Sequence, residues 1–298
     1  MREMKRVLAV VCVALAFVVA KADEMRDVLP TDVENLKLWL DANNSNSVGL
    51  VSGRVSQWND VSSNGFNAAQ ANFNFRPFYE QAAHSNMPMV RFSTGSHFLQ
   101  SGCVPATSNG PRTIIIAVAN IGTNSPASNH LIHYGSPVLR QAYGIMSSVW
   151  DGYVAREWGQ HFWSDGYTTK ISSQDGGGYI VAAYYDGAVD YMTVNGSNTL
   201  TKTYSVALNT ATGQYGLYGI IVGSRIDPPF GNPYQGFIGD VGEVLAYSAC
   251  LSLEDRQKLE GYLAHKWFMV DRLPDDHPYK AAKPVILVPA GGMFLMIR

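Results

Sequence analysis

The densest group of chemically versatile side chains in this 298-residue sequence lies between Val149 and Tyr167. Aromatic rings alternate there with acids and glycines, and the side chains expected to contact a ligand are Trp150, Asp151, Tyr153, Trp158, Trp163 and Asp165. A flat ring can cover the C–H face of a pyranose while carboxylates bind its hydroxyls, because Trp and Tyr combine apolar surface with a polar edge. We therefore expect a sugar-binding platform. The alternative, that these rings fill a core, stays open.

Two acids near the C-terminal end, Asp240 and Glu243, invite comparison with the carboxylate pair of a glycosidase. Glycoside cleavage needs two carboxylates roughly 5 to 9.5 Å apart across the scissile bond. Residues three apart point to opposite faces of a regular strand, so we expect both acids to be structural. No Ser-centred G-x-S-x-G elbow occurs, and we predict no catalytic residues. Acids that converge from distant strands would instead make the chain an enzyme.

Residues suited to metal binding are scattered along the sequence. His130 and His133 are expected on opposite faces of one strand, which argues against a zinc pair. Asp60 and Asn64 flank a turn, where they either bind backbone amides or supply oxygen ligands to Ca²⁺. We therefore expect no cofactor, with Ca²⁺ at this turn as the alternative.

Composition and the N-terminal residues indicate an exported globular protein. The chain is 46% hydrophobic and 15% charged with a net charge of −2, which argues against disorder and against electrostatic binding of nucleic acid. A basic start, an apolar run over Val7–Ala20 and small residues at Ala20 and Ala22 predict a signal peptide over residues 1–22. The apolar run is shorter than the roughly 20 residues of a membrane span, and a retained N-terminal anchor is the alternative. We expect a secreted, cell-surface or periplasmic protein with no membrane insertion after signal cleavage.

Export would leave Cys103 and Cys250 as the cysteines of the mature chain. Two thiols in an oxidising environment permit one disulfide between them. Two separate buried thiols are the alternative, since unpaired cysteine behaves as a small hydrophobic residue.

Short strand-like segments separated by Gly, Asn and Ser make up most of the chain. They are rich in β-branched and aromatic residues, which predicts pleated strands, and no helices alternate with them. This pattern favours a sandwich or jelly roll over an α/β fold. One helix is predicted from Leu253 to Trp267. Ser252 can cap its N-terminus, and Leu259, Leu263 and Trp267 share one face that can pack on a sheet.

Six motifs carry a resemblance to a known family: Leu38–Ala42, Trp58–Gln70, Met89–Phe92, Tyr184–Gly196, Phe237–Trp267 and Leu273–Tyr279. Together they resemble the laminin-G-like modules of secreted bacterial proteins, which belong to the concanavalin A-like lectin/glucanase superfamily. The resemblance implies an all-β, two-sheet antiparallel jelly-roll sandwich with one C-terminal helix packed on it. The implied domain covers residues 35–279, after a lead-in over residues 23–34 and before a tail over residues 280–298.

The resemblance implies binding of glycans or other surface ligands, although this fold also serves hydrolases and adhesion modules. Glucanases of the superfamily carry an E-x-D-x-x-E cluster on one strand, and this sequence has none. We predict a secreted, non-catalytic module that binds carbohydrate or a cell-surface polymer. The alternatives are a polysaccharide hydrolase or lyase on the same fold, and an adhesion or structural module without a small ligand.

Overall fold

The structure, a computed structural model, describes residues 24–122, 129–147, 157–163, 165–173, 176–197, 200–203, 206–211, 219–227 and 232–288. The chain divides into two compact units. In its described residues, the larger one, Asp27–Pro284, contains two large sheets and one helix. The smaller one includes the described residues 24–26 and 285–288, and its described strands pair as a separate two-stranded sheet. The predicted signal peptide, residues 1–22, lies outside the described residues.

The strands in chain order are β1 (Glu24–Asp27), β2 (Leu36–Asp41), β3 (Val48–Val51), β4 (Arg54–Trp58), β5 (Ala68–Ala69), β6 (Phe78–His84), β7 (Met87–Phe92), β8 (Leu99–Ser101), β9 (Arg112–Ala119), β10 (His130–Gly135), β11 (Ala142–Met146), β12 (Glu157–His161), β13 (Gly166–Ser172), β14 (Tyr179–Tyr185), β15 (Val189–Val194), β16 (Leu200–Thr203), β17 (Ile221–Val222), β18 (Arg225–Asp227), β19 (Asn232–Tyr234), β20 (Gly239–Tyr247) and β21 (Val285–Val288). The helix α1 spans Leu253–Lys266. Short 3₁₀ turns lie at Pro30–Asp32, Ser45–Ser47, Phe73–Phe75 and Val270–Arg272.

The first sheet is built around β20, which is buried along its whole length. Its antiparallel order is β16–β15–β14–β9–β20. Along its other edge, β20 pairs with β7 through Gly239–Val241 and with β2 through Glu243–Tyr247. The strand β6 pairs in turn with β7. The strand β9 has the sequence RTIIIAVA without polar alternation and is buried throughout, because neighbours cover both of its faces.

The second sheet has the antiparallel order β13–β12–β11–β10–β17–β8–β5–β4–β3. One residue pair, Arg54 with Phe78, connects it to β6 of the first sheet. The two sheets pack face to face, since the Tyr143 hydroxyl on β11 donates to Asp190 Oδ1 on β15 at 3.1 Å. The predicted all-β sandwich with one helix is thereby confirmed.

The helix packs on the first sheet as its sequence predicted. Ser252 caps it, because its hydroxyl oxygen accepts the backbone N–H of Asp255 at 3.1 Å. Leu259, Leu263 and Trp267 are fully buried. Trp267 lies over Gly242 of β20, where a Cβ atom would come within 2.9 Å of the indole ring. The helix can approach the sheet this closely only because that position is glycine.

Among the residues that the structure describes, no helix combines the length and the apolar character needed to cross a membrane.

Cys103 and Cys250 are both unpaired thiols, so a disulfide between them is not formed. Cys103 lies in the core just after β8, and burial raises the pKa of its thiol to about 12. Cys250 is half-buried in the connection between β20 and α1, and burial raises its pKa as well. The arrangement matches the alternative of two separate thiols, because each occupies its own site in the fold.

Candidate functional site

A β-bulge in β10 brings two histidines to the same face of the second sheet. His133 lies opposite Gly144 of β11, but His130 lies opposite Met146 because one extra residue, Leu131, interrupts the register. Gly144 and Met146 are two residues apart, so their partners share a face. The prediction that His130 and His133 face opposite sides is therefore wrong, since a bulge shifts the alternation by one residue.

A third histidine and a tryptophan complete this group. His161 of β12 also lies opposite Gly144. The ring centroid of His130 is 5.6 Å from that of His133 and 5.1 Å from that of His161. The Trp163 ring lies 6.3 Å from the His133 ring and 6.1 Å from the His161 ring. The guanidinium carbon of Arg225 is 4.9 Å from the Trp163 ring centroid.

We call these five residues, His130, His133, His161, Trp163 and Arg225, the histidine–tryptophan patch. The patch occupies the face of the second sheet that points away from the first sheet. Tyr143, the neighbour of Gly144, points the other way, towards Asp190. His130 and His133 are buried, whereas His161 and Trp163 are partly exposed.

The three imidazoles are neutral near neutral pH. Burial, together with the nearby His161 and Arg225, lowers the pKa of His133 to about 3. Burial and Arg225 likewise lower the pKa of His161 to about 4, with Asp165 opposing. Burial moves the pKa of His130 well below its usual range. A neutral imidazole carries one N–H donor and one acceptor nitrogen, so each ring can both donate and accept.

Several of these ring nitrogens lack a hydrogen-bond partner within the described part of the chain, namely His130 Nδ1, His161 Nδ1 and both nitrogens of His133. Leaving a buried polar group unsatisfied costs about 1–3 kcal/mol. His130 Nε2 lies 3.4 Å from Arg225 Nη1. Because a guanidinium can only donate, Nε2 is the acceptor and the His130 proton resides on Nδ1. The patch therefore retains hydrogen-bonding capacity at the expense of stability.

Trp163 adopts a backbone conformation that is unusual for a bulky residue. Its φ of 62° lies in the left-handed region, and such a conformation costs about 1–3 kcal/mol when it is held by its surroundings. The residue follows the end of β12 and turns its ring towards His133 and His161. This strain serves to place the ring beside the histidines.

Asp165 lies next to the patch and is neutralised by two cations. Its Oδ2 accepts from Arg140 Nε at 3.0 Å and its Oδ1 from Lys202 Nζ. Burial opposes ionisation, but the hydrogen bonds from Lys202 and Arg140 outweigh it and lower the pKa of Asp165. A carboxylate held in this way is a structural anchor for the end of β12 more than a ligand for sugar hydroxyls.

Trp158 does not belong to an exposed platform. It is fully buried, and its ring meets that of Tyr179 edge-on at 5.4 Å. Gln160, two residues later, points to the same inner side, where its Nε2 donates to the backbone oxygen of Tyr191. The expectation for Trp158 is thus corrected, because strand alternation directs this ring into the core. Trp150, Asp151 and Tyr153 lie outside the described residues.

A second bulge affects the acids of β20. Asp240 lies opposite Ala119 and Glu243 opposite Ala117, with Gly242 as the extra residue, so the two acids share a face. The prediction of opposite faces is wrong here for the same reason as in β10. Gly within a strand often marks a bulge, and Gly242 is such a signal.

Both carboxylates are nevertheless bound by groups of the fold. Asp240 is fully buried and forms a two-pronged pair with Arg91, at 2.7 Å to Nε and 2.9 Å to Nη2. Glu243 Oε2 lies 2.7 Å from Lys266 Nζ and accepts from Trp267 Nε1 at 2.8 Å. Burial raises the pKa of Glu243, with Lys266 opposing. These contacts attach β7 and α1 to β20.

The Asp60 carboxylate binds backbone amides. Oδ1 accepts from the N–H groups of Trp39 at 3.0 Å and Ser62 at 2.9 Å, and Oδ2 accepts from Phe66 at 3.0 Å. Asn64 donates from Nδ2 to the backbone oxygens of Leu36 and Lys37. Within the described residues, no group of three or more His, Cys, Asp and Glu side chains is arranged to hold a metal ion. Binding of Ca²⁺ at this turn stays an untested expectation.

Comparison with known proteins identifies the fold. A scan against protein-family models gave no match, and neither did a search of curated proteins. Among solved structures, the binding domain of Paraclostridial Mosquitocidal Protein 1 matches with a TM-score of 0.52 and 11% identity over 78% of this chain and 53% of that chain. A Trypanosoma rangeli sialidase in complex with 2,3-difluorosialic acid matches with a TM-score of 0.50 and 13% identity over 78% of this chain and 33% of that chain.

Domain 4 of AbnA, a GH43 extracellular arabinanase from Geobacillus stearothermophilus, in complex with arabinotriose, gives a TM-score of 0.46 at 14% identity over 74% of this chain and 95% of that chain. At such identities the similarities to the mosquitocidal binding domain and to the sialidase show the fold alone, a β-sandwich. The chain spans about a third of the sialidase and about half of the mosquitocidal binding domain.

Proposed function

We propose that this chain is a secreted, non-catalytic, laminin-G-like module that binds carbohydrate or a cell-surface polymer through the histidine–tryptophan patch. The observation that carries the proposal is the group of neutral imidazoles with unpartnered ring nitrogens beside the partly exposed Trp163. A sugar hydroxyl both donates and accepts a hydrogen bond, and so does a neutral imidazole. The exposed part of the indole supplies apolar surface for the C–H groups of the sugar ring.

The state of three acids, Asp165, Asp240 and Glu243, favours binding over catalysis. A general acid needs a pKa near the working pH. The carboxylate next to the patch, Asp165, has a lowered pKa and is bound by Arg140 and Lys202. Asp240 and Glu243 are buried in ion pairs with Arg91 and Lys266. The hydrolase or lyase alternative would require acids other than these three.

The test compares two tryptophans of the same segment. Trp163→Ala should weaken polysaccharide binding at least tenfold in a pull-down and titration panel, with little change in Tm because the ring is partly exposed. Trp158→Ala is the matched control, and it should lower Tm strongly, since truncating a buried Trp costs about 3–5 kcal/mol. Release of reducing ends, the product of a hydrolase, and of unsaturated ends, the product of a lyase, is measured on the same polysaccharides. The binding titrations are repeated with a chelator to test for Ca²⁺.

Undiminished binding by Trp163→Ala would place the ligand elsewhere on the molecule. Polysaccharide cleavage by the wild-type protein would support the enzyme alternative. Loss of binding in the chelator would show that Ca²⁺ takes part. A wild-type protein that retains no polymer of the panel would favour an adhesion or structural module.

A further inference from the structure

One lysine of the helix lies between two carboxylates of the first sheet. Lys266, in the last turn of α1, places Nζ 2.8 Å from Asp41 Oδ2 of β2 and 2.7 Å from Glu243 Oε2 of β20. Asp41 and Glu243 are directly opposite each other in the paired strands, so both acids reach the same ammonium. The Lys266 and Asp41 side chains are only 15% and 11% exposed, and Glu243 is fully buried. The fold thus holds an amine and a carboxyl group, the two reactants of an amide bond, together and largely out of water.

Aromatic rings enclose this group and hold Glu243 in place. The rings of Trp39, Tyr262 and Trp267 have their centroids 5.2–5.9 Å from the Lys266 ammonium. The indole N–H groups of Trp39 and Trp267 donate to the two oxygens of Glu243, at 2.6 and 2.8 Å. Tyr262 Oη donates to Glu243 Oε1 and accepts from Lys266 Nζ, each at 2.9 Å. Burial raises the pKa of Glu243, so this carboxylate accepts a proton more readily than an exposed glutamate does.

The Asp41 carboxyl group is oriented for attack by the lysine. Its Oδ1 accepts the backbone N–H of Asn43 at 2.9 Å, while its Oδ2 contacts Lys266 Nζ. A backbone N–H fixed at a carbonyl oxygen stabilises the negative charge that develops there when a nucleophile adds. The contact with Oδ2 brings Nζ close to the carboxyl carbon, and reactants held in such a geometry reach effective molarities of about 10⁵–10⁸ M.

We propose that Lys266 and Asp41 join in an intramolecular amide bond, with Glu243 as the group that carries the protons. The bond links α1 to β2 covalently and releases one water molecule. Keeping a charged amine and carboxylate away from water costs free energy, and replacing them by a neutral amide and a released water removes that cost. The bond forms whether or not the histidine–tryptophan patch binds a ligand.

The reaction balances without an oxidant, a reductant or a co-reactant. Glu243 takes one proton from the Lys266 ammonium and passes it to Asp41 Oδ2, which leaves a neutral amine and a neutral carboxylic acid. Nζ then attacks Cγ of Asp41, the N–C bond forms, and the carbonyl electron pair moves onto Oδ1, where the Asn43 N–H stabilises it. Glu243 carries a second proton from the nitrogen to the Oδ2 hydroxyl. The C–Oδ2 bond breaks, the carbonyl re-forms, and water leaves through the open cavity that Lys266 lines.

Mass spectrometry of the purified wild-type protein tests the bond directly. The protein is incubated at neutral pH until its mass is constant and is then unfolded, and its termini are established by peptide sequencing. Its intact mass should be one water molecule below the mass that its sequence requires. Trypsin does not cleave after an acylated lysine, so the digest should contain the peptide Leu38–Arg54 joined to Leu259–Arg272. The full mass, together with a free Leu38–Arg54 peptide, would overturn the proposal.

Three variants assign the roles. Lys266→Arg keeps a cation but lacks the amine, and Glu243→Gln removes the proton carrier, so both should have the full mass. Lys258→Arg is the matched control, because it makes the same substitution on the same helix, where Lys258 lies 2.7 Å from the exposed Glu254, and it should still lose one water. The Tm of each variant is measured. If Lys266→Arg and Glu243→Gln do not fold, the wild-type digest alone decides the question.

Other outcomes would contradict the proposal in distinct ways. A loss of water that persists in Lys266→Arg would place the dehydration elsewhere, as in a succinimide, and would overturn it. A cross-link from Lys266 to Glu243 would overturn the assignment of Asp41 as the acylated residue. Formation of the bond in a folded Glu243→Gln variant would show that Glu243 is not the proton carrier.

Discussion

The pH dependence of stability offers a direct test of the buried histidines, and His133 is the most informative of them. Its folded-state pKa is lowered to about 3 by burial, His161 and Arg225, whereas an unfolded histidine titrates near 6.5. The unfolded chain therefore takes up this proton first. The contribution of a neutral His133 is complete above about pH 6.5, and it is lost progressively as the pH falls from there towards the folded-state value.

The size of the effect follows from the distance between the unfolded pKa and the working pH. Between pH 6.5 and pH 5 the folded ring stays neutral while the unfolded one becomes charged, and each pH unit costs about 1.4 kcal/mol. His133 alone thus reduces the free energy of unfolding by about 2 kcal/mol over that range. His133→Gln keeps a polar group but cannot titrate. The stability of the variant relative to wild type should consequently improve by about 2 kcal/mol when the pH is lowered from 7 to 5.

Urea unfolding at pH 8, 7, 6 and 5, extrapolated linearly to water, measures this difference. The interval from pH 8 to pH 7 is an internal control, because the ring is neutral in both states and the difference should be constant. Other titrating groups, including His161 and the carboxylates, are common to both proteins and cancel. A difference that stays constant within about 0.5 kcal/mol down to pH 5 would mean that His133 titrates like an exposed histidine, and the description of the patch would be refuted.

Two further predictions concern the attachment of the helix. Leu263→Ala removes a fully buried side chain from α1 and should lower the free energy of unfolding by about 2–5 kcal/mol in urea titrations; a loss below about 0.5 kcal/mol would mean that the helix is not docked there. Gly242→Ala places a methyl group 2.9 Å from the indole of Trp267 and 3.0 Å from the Met89 methyl, so it should cost about 1–3 kcal/mol in the same titrations; wild-type stability in this variant would show that the contact can relax.

The features that local rules govern were predictable from the sequence. Turn residues at short intervals between β-branched and aromatic segments indicate a sandwich, and the structure has one. The cap at Ser252 and the apolar stripe of Leu259, Leu263 and Trp267 predicted both the helix and its buried face. These predictions succeed because each depends on residues within a few positions of one another.

The face on which a polar residue lies was not predictable where a bulge intervenes. His130 and His133, like Asp240 and Glu243, are three residues apart, and strict alternation separates each pair. One extra residue in β10 and one in β20 place the members of each pair on the same face instead. A bulge is defined by the register with a partner strand, which is remote in sequence. Leu131 carries no local signal of it, so the histidine group could not be recognised before the fold was known.

The two bulges lead to opposite outcomes, and this contrast supports the proposal that the histidine–tryptophan patch is the binding face. On the first sheet the helix covers the bulge of β20, and Glu243 receives donors from Trp39, Tyr262, Lys266 and Trp267, so every part of its carboxylate is satisfied. On the second sheet the bulge of β10 gathers imidazoles whose nitrogens lack partners among the described residues. On both sheets, burying polar groups costs free energy, and on the first sheet hydrogen bonds within the fold offset that cost. On the second sheet, hydrogen bonds to the proposed ligand would offset it.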